Sequence, residues 1–480
     1  MLIAVFALAA AASAGDGLPT VAPSTVGMSA TRLASIDRVV RRGITAGGYP
    51  GASVIVGRKG YSVWQKGFGY LDWNRKASVS VTESVYDLAS LTKVVGTTTA
   101  IMILFDEGKI VLDAPVTSYL PEFTGGAKDE ITVRDLLAHR SGLPASRDLW
   151  RIARSPDEAR RSVLESSLAC RPRQCMIYSD LGAIALGLIV ERVTGMGMDE
   201  YLQARVFGPI GMTETTFRPE ASLRSRIAPT EIAPPRGYPL RGEVHDENAY
   251  ALGGVAGHAG LFSTAADLSM FAQMMLNGGE YAGVRIVADS TIKLFTAKKV
   301  IGNRALGWAK ADGTGGSGEY LSDAAYGHTG YTGTSLWIDP KRDMFVVLLT
   351  NRVHAAKARR PAKVIADVRA DLADAASAAV TDDPTLAVSM PATFRADKAS
   401  GWNTAPKPRT RKVTRRSTAK KQPVKSTVKK APAKKPVAAA KKPSTTKKPA
   451  PAAKKTAWIA VPDGRTIRLE IPDDGFRLVA

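Results

Sequence analysis

The stretch Ser84-Val85-Tyr86-Asp87-Leu88-Ala89-Ser90-Leu91-Thr92-Lys93 runs on through Val94-Val95-Gly96-Thr97-Thr98-Thr99 into an apolar segment that ends at Phe105. It begins extended and partly apolar and turns helical at Ser90. Lys93 follows Ser90 by three positions, which on a helix sets the amine one turn from the hydroxyl and on the same face. An amine so placed can help a serine lose its proton. A helix start also favours the Ser90 hydroxyl and N–H through the positive end of the helix dipole. The same position suits a serine that only caps the helix. Spacing alone does not choose between these roles, because Ser290 with Lys293, Ser417 with Lys420, Ser426 with Lys429 and Ser444 with Lys447 match it too.

Outward from this stretch, residues 28 to about 372 alternate helix-like and strand-like patterns with Gly and Pro punctuation, as one catalytic unit would. Upstream, Ala52-Ser53-Val54-Ile55-Val56 and Tyr61-Ser62-Val63-Trp64 flank Gly57-Arg58-Lys59-Gly60 and read as a β-hairpin. Downstream, Thr334 to Ile338 and Met344 to Leu349 flank Asp339-Pro340-Lys341-Arg342-Asp343 and read as another. Between them Thr97 to Glu107, Leu181 to Val193 and Ala265 to Leu276 carry apolar residues at helical spacing. Strands at both ends with helices between predict an α+β fold: one antiparallel sheet built from both ends of the domain, flanked by helices, with a mainly helical insertion.

Length and charge bound the remainder. A chain of 480 residues, 45% hydrophobic, can bury a large core in one to three domains. The formal charge of +22 suggests a nucleic-acid partner until its distribution is read. Lys407 to Lys455 holds 19 Lys and Arg with no Asp or Glu, which takes 19 of the +22 and leaves +3 for everything else. Residues 404–456 are dominated by Lys, Pro, Ala, Ser and Thr, too polar and charged to bury a core, and are expected to form a disordered basic tail. Without an aromatic residue between Lys407 and Lys455 for bases to stack on, its attraction to anionic polymers or lipid headgroups is expected to be nonspecific, with no sequence-specific nucleic acid. Residues 457–480 regain strand alternation at Ile467, Leu469 and Ile471, with Asp463-Gly464 as a turn signal.

At the other end, residues 1–14 read as a signal peptide: an apolar run from Leu2 to Ala12 closes in Ala12-Ser13-Ala14, although no Lys or Arg follows Met1 in the run. Export to the periplasm or medium is the expectation, with no transmembrane helix left after cleavage. Cys170 and Cys175, the two cysteines, either close a small loop in such a compartment or stay reduced.

Asp87 to Lys93, together with Ile131-Thr132-Val133-Arg134-Asp135-Leu136-Leu137-Ala138-His139-Arg140-Ser141-Gly142-Leu143-Pro144, resembles the serine β-lactamase-related family. That family includes class C β-lactamases, penicillin-binding-protein-like enzymes, D-stereospecific peptidases and certain esterases, and the likeness spans residues ~28 to ~356. Tyr178-Ser179-Asp180 falls where the family has Tyr-x-Asn, and His328-Thr329-Gly330 where it has Lys-Thr-Gly. The resemblance implies that Ser90 is acylated, that Lys93 and Tyr178 handle its proton, and that the backbone N–H groups of Ser90 and Tyr331 form an oxyanion hole. A phenol acts as a base there only if neighbouring cations favour its anion, which Lys93 can do. It implies no metal or other cofactor.

Two departures bear on substrate. Asp180 replaces an amide with a carboxylate, able to pair with Lys93 but not to donate the same hydrogen bonds. His328 replaces a permanent cation with a ring mostly neutral above ~6.5, so a substrate carboxylate is expected to bind more weakly and to gain affinity as pH falls. The Gly-rich run from Val244 to Thr264 reads as a loop that brings backbone close to the site. His245, Asp246 and His258 fit no common zinc spacing, and His139 and His354 read as structural. The function expected is hydrolysis of D-amino-acid peptides of the peptidoglycan type, of small esters, or weakly of β-lactams. The alternative is an envelope polymer-binding protein whose basic tail tethers a hydrolase-like domain.

Overall fold

The computed structural model describes residues 16–402 apart from 298, 299, 301, 356, 357, 359 and 399–401, and the backbone of 455–460 and 466–471. The proposed signal peptide, and residues 404–454 of the expected tail, lie outside the described residues.

Both sequence hairpins form, and they pair with each other. Strands β1 (Gly51–Arg58) and β2 (Tyr61–Gly69) come from the start of the domain, and β3 (Ala309–Lys310), β4 (Tyr326–Thr329), β5 (Ser335–Asp339) and β6 (Met344–Thr350) from its end. Their order in the sheet is β2-β1-β6-β5-β4-β3, antiparallel throughout. The join is β1 against β6, with Val54 opposite Leu348 and Ile55 opposite Val347.

β1 and β6 are buried along their whole length, because the sheet is covered on both faces. The period of two sorts the side chains. Ala52, Val54 and Val56 with Met344, Val346 and Leu348 face a core shared with helix α1 (Ser35–Thr45) and the last long helix, Pro361–Ala378. Ile55 with Phe345, Val347 and Leu349 face the larger core, into which the helical insertion packs. Fully burying one such side chain contributes roughly 1.5–3 kcal/mol, so a one-residue slip of β1 against β6 would be costly.

The insertion holds the three sequence-predicted helices. A 3-10 turn at Ala89–Leu91 leads into a widened π turn at Lys93–Thr98 and then α2 (Thr99–Asp106). α3 (Asp180–Thr194) starts where Ser179 Oγ accepts the Gly182 N–H, and α4 (Ala265–Leu276) where Thr264 Oγ1 accepts the Asp267 N–H. The apolar Ala89–Asp106 stretch, long enough to cross a bilayer, is a core element here. Cys170 and Cys175 are joined as a disulfide, with Cα atoms 6.6 Å apart.

The packed body reaches beyond residue 372. The last helix, α5 (Pro361–Ala378), continues to Ala378, and Phe394, Ala396 and Trp402 return to bury against it. Arg395 pairs there with Asp371 and Asp374. The strands Lys455–Ala460 and Thr466–Ile471 belong to a second unit, where they make an antiparallel hairpin with Ile459 opposite Ile467.

Candidate active site

Ser90 sits behind a strained backbone. Ala89 has φ of 47°, a left-handed conformation uncommon for a residue with a Cβ, and the buried Asp87 carboxylate holds it by accepting the Ala89 N–H at 2.8 Å. The other Asp87 oxygen accepts the His245 N–H at 2.7 Å. Burial pushes the Asp87 pKa up, against those two hydrogen bonds.

Lys93 is the hub. Its Nζ donates to Ser90 Oγ at 3.0 Å and to the His258 carbonyl at 3.0 Å, and it pairs with Asp180 Oδ1 at 2.7 Å. It also lies 5.0 Å from the centre of the Tyr178 ring. Burial works against the Lys93 ammonium, but the charges of Tyr178 and Asp180 outweigh it, and the pKa is raised. At neutral pH Lys93 is therefore a cation held against the serine hydroxyl. The Tyr178 hydroxyl is buried, and the Lys93 ammonium acts on it.

Long-range elements bring these groups together. Tyr178 and Asp180 flank the cap of α3, and His139 fixes that turn: its Nδ1 accepts the Ser179 N–H at 3.1 Å, and its ring lies 4.6 Å from that of Tyr178. The Gly-rich loop contributes backbone, as read from sequence. Gly257 O accepts the Thr97 hydroxyl, and a Cβ on Gly257 would come 2.1 Å from the Ala183 carbonyl. His258 Nε2 contacts Asp246 at 2.8 Å, His245 Nε2 contacts Glu231 at 2.9 Å and His354 Nε2 contacts Asp72 at 3.2 Å. Burial opposes the Asp246 carboxylate, but the His258 ring and the Lys93 charge keep its pKa below the ordinary range. Among the described residues no three His, Cys, Asp or Glu side chains converge as a metal ion would need.

β4 closes the site and corrects one expectation. His328 is buried, with Nδ1 2.9 Å from the Thr329 carbonyl, Nε2 3.1 Å from Arg304 Nη1, and its ring stacked on Tyr178. Burial and the charges of Arg304 and Lys93 hold its pKa well below 6.5. His328 is thus a neutral acceptor across the ordinary pH range and not the titrating carboxylate ligand expected from sequence. The cation at this place is Arg304, whose guanidinium lies 4.9 Å from the Tyr178 ring centre. Its Nε is buried without a partner, no carboxylate among the described residues forms an ion pair with it, and burial lowers its pKa. Sequence reading missed Arg304, which carries no motif of its own.

Past Thr329 the chain makes a tight loop against the Asp87–Ser90 segment. A Cβ on Gly330 would sit 2.1 Å from Thr334 Oγ1 and 2.3 Å from the Leu88 carbonyl, so only glycine allows the approach. Thr332 and Thr334 hydroxyls donate to the Asp87 and Leu88 carbonyls at 2.7 and 2.9 Å. The Tyr331 ring is 61% exposed, beside His245 and under Arg352.

The family model described as Beta-lactamase matches residues 36–370. The chain belongs to the β-lactamase family. It is a serine hydrolase of that fold, and its relatives show the family's breadth. A Salmonella agona protein named "Putative D-alanyl-D-alanine carboxypeptidase" is 33% identical over 391 residues, covering 74% of this chain and 90% of the relative. The fold matches a penicillin-binding-protein homolog from Caulobacter crescentus with a TM-score of 0.60 at 22% identity, over 74% of this chain and 99% of the other. It also matches a family VIII carboxylesterase with a TM-score of 0.57 at 21% identity, over 73% and 98% of the two chains. A class C β-lactamase superposes with a TM-score of 0.57 at 16% identity, over 71% and 95%.

Proposed function

We propose that this family member is an exported acyl hydrolase in which Ser90 is the nucleophile, Lys93 and Tyr178 manage its proton, and the substrate is a D-alanyl-type peptide or small ester bearing a carboxylate. The observation that carries the reading is the buried Lys93 ammonium fixed between Ser90 Oγ and Asp180. An ammonium cannot accept the serine proton. The group left to take it, as the phenolate, is the Tyr178 oxygen, on a ring that lies against both the Lys93 ammonium and the Arg304 guanidinium.

Ser90 Oγ then attacks the acyl carbon as its proton passes to Tyr178, and the negative carbonyl oxygen accepts from the Ser90 and Tyr331 N–H groups. Neither N–H donates to a protein acceptor among the described residues. Collapse expels the leaving group, which takes the proton from Tyr178; water then adds to the acyl carbon as it gives a proton to the Tyr178 oxygen, and the second collapse frees the acid and returns that proton to Ser90 Oγ. Thr329 at the end of β4 lines the same edge, and Arg304, in place of His328, supplies the cation for the substrate carboxylate. Export is supported by the apolar Leu2–Ala12 run and by the Cys170–Cys175 disulfide, a bond of oxidising compartments.

The test is covalent labelling with a fluorescent penicillin and a fluorophosphonate, followed by peptide mapping. The adduct should sit on Ser90 and vanish in Ser90→Ala. Lys93→Met and Tyr178→Phe should each slow labelling at least about a hundredfold with the fold retained. An adduct on another serine, or near-parental rates in both proton-handling variants, overturns the assignment.

A further inference from the structure

We propose that Arg369 is a positioning residue for the oxyanion hole: it holds the Gly330–Tyr331 peptide so that the Tyr331 N–H faces the acyl oxygen at Ser90. The inference rests on the oxyanion reading above and adds to it a residue from the opposite side of the sheet.

Arg369 lies on α5, and its side chain is buried. Its Nη2 donates to the Gly330 carbonyl and to the Thr334 carbonyl, both at 2.7 Å. Gly330 O and Tyr331 N belong to one trans peptide, so its C=O and N–H point in opposite directions across a rigid plane. Fixing the carbonyl toward the guanidinium therefore fixes the N–H away from it, toward the Ser90 side of the loop. The cation also polarises the peptide and makes its N–H a stronger donor.

The rest of the loop is held to match. Gly330 N–H reaches the Thr334 carbonyl at 2.8 Å, and Gly333 N–H reaches Gly330 O at 3.1 Å. Arg352 Nε takes the next carbonyl, that of Tyr331, at 2.6 Å. On the far side Thr332 and Thr334 tie the loop to Asp87 and Leu88, so the two N–H groups of the hole share one frame with Ser90.

A purely structural role explains Arg369 poorly. No carboxylate among the described residues forms an ion pair with it, and the charge close enough to affect it is that of another arginine, Arg352. Its neighbours on the helix, Ile365, Val368 and Leu372, are apolar and buried. An apolar side chain there would avoid burying an uncompensated charge. A cation kept at such a place is accounted for by what its two hydrogen bonds orient.

The experiment compares the full-length parent with Arg369→Met, Arg369→Lys and, as a control on the same helix, Val368→Ala. Turnover of p-nitrophenyl acetate is measured, and the Ser90 fluorophosphonate adduct is examined by phosphorus NMR, whose shift reports hydrogen bonding to the phosphoryl oxygen. In Arg369→Met, kcat should fall about ten- to a hundredfold while KM stays within about threefold, and the adduct resonance should move toward its position in the denatured adduct. Arg369→Lys, which keeps the charge and N–H donors but places them on a shorter side chain without the planar guanidinium, should recover part of both effects. Val368→Ala should lower Tm and leave both readouts parental. If Arg369→Met fails to fold, Arg369→Lys decides: a parental kcat and resonance there overturns the proposal. So does a folded Arg369→Met with parental values, or a Val368→Ala variant that loses kcat in step with Tm. If the parent resonance already coincides with that of the denatured adduct, the oxyanion reading itself fails, whatever Arg369 does.

Discussion

Replacing Arg304 with Met should remove the proposed preference for substrates that bear a carboxylate. The guanidinium stands beside both His328 and Tyr178, so its loss has two consequences. The lost packing against the Tyr178 ring slows every substrate alike. The missing cation slows only those with a carboxylate. Two unit charges 4 Å apart at an effective dielectric of 20 attract by about 4 kcal/mol, and the desolvation of both reduces a charge-assisted hydrogen bond to about 1.5–3 kcal/mol net. At about 1.4 kcal/mol per decade this is roughly ten- to a hundredfold. The assay is the ratio of kcat/KM for a depsipeptide ending in a free carboxylate to that for the same compound capped as a methyl amide, in which the common effect on Tyr178 cancels. The parent ratio should stay flat as pH falls from about 8 to about 6, since His328 does not take up a proton in that window. The reasoning fails if Arg304→Met leaves the ratio unchanged, or if the parent ratio climbs through the ordinary histidine range.

Two further outcomes follow from burial. His139 is held neutral, its pKa lowered to about 3 by burial and by the Arg304 and Lys93 charges. Below ~6.5 the unfolded chain binds a proton there that the folded chain does not, so this contribution is intact above 6.5 and is lost as pH falls, by about 1.4 kcal/mol per unit and about 2 kcal/mol by pH 5. Urea unfolding at pH 7 and 5 should show His139→Gln losing about that much less than the parent; parallel losses would refute it. For the carboxyl end, a chain stopping at Trp402 should keep parental turnover on a small ester and lose salt-sensitive binding to anionic polymers with its 19 basic residues. A chain stopping at Ala396 should be less stable by about 3–5 kcal/mol, because it lacks the buried Trp402 indole and its N–H bond to Asp367 at 2.6 Å. Equal Tm values for the two chains would show that Trp402 is not part of the fold.

What the sequence determined by itself is local or periodic. The offset between Ser90 and Lys93 sets their contact through helical geometry, the near-continuous apolar runs of β1 and β6 suit strands covered on both faces, and the helical spacing of Leu181 to Val193 and Ala265 to Leu276 marks helices that the structure keeps. Arg369 left a trace that could have been read: four residues after Ile365 and three before Leu372, it is a charge on the apolar face of a helix. Only the tertiary structure decided the charge state of the site. Whether His328 is a cation depends on its burial and on Arg304 and Lys93, which lie on distant segments of the chain, and on the Tyr178 ring stacked against it. Electrostatic energies depend on distance and desolvation in space, and a sequence fixes neither until the sheet has closed.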